Sequence, residues 1–190
     1  MADSKISALP ASTTPLAGTE VLPIVQSSTT KQVSVANLTA GRDIAVLGIV
    51  GTTTNNNATA GSVGELVSST VASSGVAMST GTGVDITSIS LTAGDWDVSG
   101  VVAITNTLGT TTYSFIQYGS SSTSATYGSL GQGGSLTPNT NIAAVADYVV
   151  AIPTTRYSLA STTTIYLIAR AGFAVSNSFA YGVIRARRVR

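Results

Sequence analysis

Ile165-Tyr166-Leu167-Ile168-Ala169-Arg170-Ala171-Gly172-Phe173-Ala174-Val175 is the stretch on which the fold turns. Ile165, Leu167, Ala169, Ala171, Phe173 and Val175 recur with a period of two and share one face of an extended chain. The opposite face carries Tyr166, Ile168, Arg170 and Gly172. Both faces are partly apolar, which predicts a central strand or one at a subunit interface.

The same period runs outward from it. Trp96, Val98, Val102 and Ile104 align on one face of a strand over 96–104, entered through the turn Thr92-Ala93-Gly94-Asp95. Trp96 is the only Trp in the chain and begins a core strand. Val84 to Leu91 is a strand whose alternation changes phase between Ile86 and Ile89, the mark of a β-bulge. Glu65 to Val71, Tyr113 to Tyr118 and Phe179 to Arg190 read as strands. Tyr148 to Ile152 continues the pattern until Pro153 ends it, and Ser120 to Ser135 reads as a long loop. No 3.6-residue period is sustained. Seven or eight strands with long loops predict an all-β chain, folded as an antiparallel β-sandwich or jelly roll.

Ahead of this domain, residues 64–190, lie two smaller regions. In residues 1–40, Val21 to Val25 and Gln32 to Val35 flank Ser27-Ser28-Thr29-Thr30 as a small β-hairpin, with one helical turn at most at Ala36-Asn37-Leu38. Leu9, Leu16, Leu22, Ile24, Val33, Val35 and Leu38 are its apolar inventory. That is too little for a core of its own, so the segment is expected to gain order by docking through these residues. Residues 41–63 read as a connector: an apolar run, Ile44 to Val50, and then a polar stretch without periodicity.

Composition narrows the function. There are 55 Ser and Thr residues against nine Lys and Arg and eight Asp and Glu, so the polar surface is built from hydroxyls. A charged fraction of 9% with 43% hydrophobic residues suggests that side surface is covered by further copies of the chain. With no His and no Cys, His-based triads, the usual zinc ligand sets and thiolate chemistry are excluded. No apolar run approaches the length of a membrane span, and no signal peptide is read behind Met1. No catalytic residue, metal ligand or cofactor is assigned.

Three features invite chemistry. Arg185, Arg187, Arg188 and Arg190 fall within the last six residues. Nucleic acid is one reading, but the domain supplies little further basic surface, and pairing with carboxylates across a subunit interface is the economical one. Asp95 and Asp97 point the same way, a spacing that a hydrolase pair or calcium could use, although a turn cap and an edge residue need neither. Several of the seven Tyr residues neighbour loop hydroxyls, an arrangement that could hold a host glycan, against the plainer reading of rim packing. Tyr166, Phe173 and Tyr181 join Arg185, Arg187 and Arg188 as the expected subunit interface.

Lys5-Ile6-Ser7-Ala8-Leu9-Pro10, Pro15 to Gln26 and Thr30 to Leu38 together resemble the N-terminal adaptor segment of tailed-bacteriophage virion proteins such as fibres and spikes. Leu91 to Gly100, Ser158 to Leu167 and Tyr181 to Val189 are similar to a C-terminal domain of phage structural proteins. Their motif order also resembles the trimeric complement C1q and tumour-necrosis-factor jelly rolls. The resemblance implies a virion protein: a homotrimeric head fibre or decoration protein gripping the major capsid protein, or another virion protein, through residues 1–40. The rival is a tail fibre or receptor-binding tip whose loops meet host glycan. A secreted lectin and a hydrolase come behind these.

Overall fold

The computed structural model describes residues 19, 21–35, 54–106, 111–127, 134–137, 142–143, 147–174 and 177–190. Leu9, Leu16, Leu38 and the apolar run 44–50 lie outside them. The chain divides into two compact units, Met1–Thr54 and Asn55–Arg190.

In the first unit β1 (Val21–Gln26) and β2 (Thr29–Ser34) pair antiparallel, with Gln26 opposite Thr29. The turn is therefore the two residues Ser27 and Ser28, with φ of 53° and 59°. Two left-handed residues match the right-handed twist of a hairpin. Thr29 and Thr30, expected in the turn, belong to β2.

The second unit has nine strands and, among its described residues, no helix. These are β3 (Leu66–Ala77), β4 (Val84–Leu91), β5 (Gly94–Asn106), β6 (Thr112–Ser121), β7 (Gly134–Thr137), β8 (Ile142–Ala143), β9 (Tyr148–Leu159), β10 (Thr163–Phe173) and β11 (Ser178–Arg188). One sheet has the order β3-β11-β5-β9; the other has β4-β10-β6-β7, with β8 also on β6. All pairs are antiparallel. The chain changes sheet at each step from β3 to β6 and again from β8 to β11. That alternation is the jelly-roll arrangement.

β10, the opening stretch, lies between β4 and β6 as the central strand of its sheet. Ile165, Leu167, Ala169 and Ala171 are wholly buried in the core, and Ile168 on the other face is buried as well, outside that core. From β5, Trp96, Val98, Val102 and Ile104 meet them on the single face that alternation assigns. Each large side chain so buried is worth about 1.5–3 kcal/mol of transfer free energy. The phase change in β4 is a bulge: Leu167 pairs with Thr87 and Ile168 with Asp85, which leaves Ile86 without a partner of its own.

Two expectations are corrected. Pro153 does not end its strand. β9 runs on to Leu159, with an extra residue opposite β5 around Pro153, since Thr155 faces Val98 and Ile152 faces Gly100. β9 is an edge strand, where a residue without an N–H removes no ladder bond. Nor is 120–135 one continuous loop: Ser120 and Ser121 belong to β6 and Gly134 opens β7. Between them, Asp85 accepts from the Ser124 hydroxyl (2.5 Å) and the Ala125 N–H (2.7 Å), which ties the segment to β4.

Candidate functional site

A sandwich has two outer faces, and the predicted site residues divide between them and the interior. On the outer face of β3-β11-β5-β9, Tyr181 and Val183 of β11 stand opposite Ala103 and Val101 of β5, which in turn face Val149 and Ala151 of β9. They alternate with core residues Val102, Ile104, Ala180 and Ile184, so they lie on the outer side of the sheet, where Ala103 is already buried at 2% exposure and Val101, Tyr181 and Val183 are half-buried. Val149 is 58% exposed. This is an apolar band across three strands. At one end are exposed Arg185 and Arg187, with Asp97 across from Arg187. Exposed Asp147 lies at the other end, and burial, followed by a hydrogen bond to Asp147, raises the Tyr181 phenol pKa.

Arg188 is not on that face. It is 5% exposed and its donors are met inside the protomer. Nε reaches Glu65 at 2.9 Å, Nη1 the Ala93 carbonyl at 2.9 Å, and Nη2 the Thr92 hydroxyl at 2.5 Å. The guanidinium stacks 4.2 Å from the Trp96 ring, and the indole N–H donates to the Thr92 carbonyl. Ile184, Ala186 and Arg188 share a parity, so alternation carries the arginine inward with its neighbours. That signal was present in the sequence, behind the run of basic residues. Arg188 is corrected from an interface residue to an internal one.

Tyr166 and Phe173 also leave the group. Tyr166 lies on the outer face of the other sheet, and Phe173 packs at the end of β10 against Tyr113, edge to face at 6.1 Å between centroids. Of the six residues expected at an interface, the structure places Tyr181, Arg185 and Arg187 on one face of β11. In the hairpin Leu22 is 44% exposed, while Ile24, Val33 and Val35 are half-buried.

Asp95 is engaged within the protomer. Asp95, 3% exposed, receives Arg156 at 2.9 Å and also Arg190. Hydrogen bonds from Arg156 and Ser158, then Arg190, hold its pKa down at about 2. Among the described residues no three of His, Cys, Asp and Glu converge on a metal site. Two of the Tyr hydroxyls turn inward: Tyr113 bonds Ser178 at 2.9 Å and Tyr157 bonds Ser120 at 3.0 Å, with burial raising both pKa values.

A feature that the sequence reading missed lies on the other sheet. Gly172 pairs with Phe115 and Phe173 with Tyr113, which leaves Ser114 as the extra residue of a bulge in β6. Tyr113 and Ile116 remain in the core, so Ser114 and Phe115 both project outward. They border a cleft of about 410 Å³ closed by Thr80, Gly81, Thr112, Gly172, Phe173 and Ala174. The step of three residues, not two, between the core positions Tyr113 and Ile116 is the sequence signal that could have found it.

Fold and surfaces define a two-sheet jelly-roll protein with an apolar band on one outer sheet face. No family model and no curated protein matches the chain. Solved structures that it resembles are those of infectious bursal disease virus: the Gx strain, with TM-score 0.36 and 11% identity over 65% of this chain and 29% of that one, and the VP2 subviral particle, with the same score and identity over 65% and 30%. The chain thus spans under a third of the chains it matches. At that score no role passes from them, and the jelly-roll arrangement rests on the strand order. The tailed-bacteriophage reading is corrected: the structures matched are of a different virus, infectious bursal disease virus. The fibre types of that reading fall with it.

Proposed function

We propose that the chain is a structural component of a virus particle. Copies associate through the outer face of β3-β11-β5-β9, and the opposite sheet is left to meet the host surface. The observation that carries this is the apolar band of Val101, Ala103, Val149, Ala151, Tyr181 and Val183 on a chain with 9% charged residues. The occupant is a second copy of the same chain. Arg185 and Arg187 at one end of the band, and Asp97 and Asp147 near it, offer a neighbour charges of both signs, while the middle offers only apolar contact. Three copies is the number we propose, following the motif order shared with the C1q and tumour-necrosis-factor jelly rolls. Leu22, Ile24, Val33 and Val35 of the hairpin, with Leu9, Leu16 and Leu38, serve to attach it to another protein of the particle. Val101→Lys places a charge in the centre of the band without touching the core. Sedimentation equilibrium should show it dissociating at concentrations where the wild-type chain stays associated, and equal association would overturn the reading.

A further inference from the structure

We propose that the cleft beside Ser114 and Phe115 binds a neutral hexopyranose unit of a surface glycan. This rests on the reading that the β4-β10-β6 sheet faces outward and names the site through which it would do so. The cleft lies in the range of small-ligand pockets, about 300–1,000 Å³, and none of its eight lining residues carries a charge. The outward Phe115 supplies an apolar wall, and Thr80, Thr112 and Ser114 add hydroxyl-bearing residues to the lining. A pyranose has matching chemistry: a C–H face for an aromatic wall and equatorial hydroxyls around it.

The hydroxyls are set in complementary states. Thr80 Oγ1 accepts from the Phe173 N–H at 2.9 Å, so its own proton is directed elsewhere. Ser114 Oγ donates to the Gly172 carbonyl at 3.3 Å, so its lone pairs remain to accept. A ligand that both donates and accepts satisfies both, and a hydrocarbon satisfies neither. The cleft is also built in advance. A Cβ on Gly172 would stand 2.5 Å from both Phe115 Cε1 and Ser114 Oγ, so only glycine admits the ring at this height across β10. Arg170 covers one face of the wall: its guanidinium lies over the Phe115 ring, 5.3 Å from the centroid, which leaves the other face to a ligand, and its Nε donates to the Gly81 carbonyl at 2.6 Å. It is a positioning residue for the ring and for the Thr80-Gly81 turn.

The test is saturation-transfer NMR on the intact chain with the methyl glycosides of glucose, galactose, mannose and N-acetylglucosamine. At least one should receive saturation on its ring protons, and Ser114→Lys, at an exposed position, and Phe115→Ala should each weaken that ligand about tenfold or more, a loss of one aromatic or polar anchor. Unchanged unfolding midpoints certify that both variants are folded, and Ser114→Lys remains the probe should Phe115→Ala disturb β6. No transfer to any of the four, or equal transfer in the Ser114→Lys chain, overturns the proposal. Binding of wild-type and Ser114→Lys chains to host cells separates the two readings. Equal cell binding by both defeats the cleft and leaves host contact standing, and no cell binding by a chain that still takes up the glycoside defeats host contact alone.

Discussion

Arg188 shows how one side chain can close a domain. Its fork joins the start of β3 through Glu65 to the β4–β5 turn through Thr92 and Ala93, and its plane covers the only Trp of the chain. Removing a buried charge partner strands the other, which costs about 3 kcal/mol or more. Arg188→Ala should lower the urea midpoint accordingly, and Arg188→Lys should recover less than half, because an ammonium restores the charge but neither the fork nor the stack. Full recovery in the Lys variant would show that charge alone matters there. The carboxylates nearby set the acid limit. Asp95 is held at about 2 against an ordinary 3.8, and Glu65 is lowered from 4.5 by the Gly61 N–H and Arg188. A folded pKa below the unfolded one means that the stabilisation is complete above the unfolded values and lost as pH falls through them. The unfolding midpoint should therefore hold from pH 8 down to about 5, with no histidine step near 6.5, and fall between about 4 and 2. Asp95→Asn should flatten that fall, and an unchanged acid limb in the variant would count against it.

Gly182 does the same kind of work for a strand. Its φ is +149°, and a Cβ there would run into the Val101 carbonyl of β5. Gly182→Ala should cost about 1–3 kcal/mol, read as a fall in thermal midpoint, with β11 and β5 separating at that register. A midpoint equal to wild type would mean that the strands tolerate the wider spacing. At this scale much of the fold was legible. β10 announced its central place by apolar residues on both faces, and β4 announced its bulge by the phase change at Ile86 and Ile89. Pro153 was read the wrong way because one chemical fact, the missing N–H, fits a strand end and a strand edge equally, and only the sheet order separates them. The Ser114-Phe115 bulge stayed hidden because Tyr, Phe and Ile within four residues satisfy a simple strand pattern whichever of them faces out.

For the whole molecule, single-chain patterning tells which faces are apolar but not which neighbour covers them. Tyr181, Arg185 and Arg187 were found as a group because they share one strand and one face. Tyr166 and Phe173 were grouped with them on aromatic character, and the sheet order sends them elsewhere. In the proposed assembly the low charge has a consistent place: hydroxyls keep the loops hydrated, and the β3-β11-β5-β9 face is left to a copy of the chain. Sedimentation equilibrium of the intact chain, beside Val101→Lys, tests this most directly. The account predicts a mass three times the 19.1 kDa protomer for the wild-type chain and a shift toward one protomer in the variant. A wild-type chain that stays at 19.1 kDa across the concentration range, folded and soluble with that face bare, would contradict it.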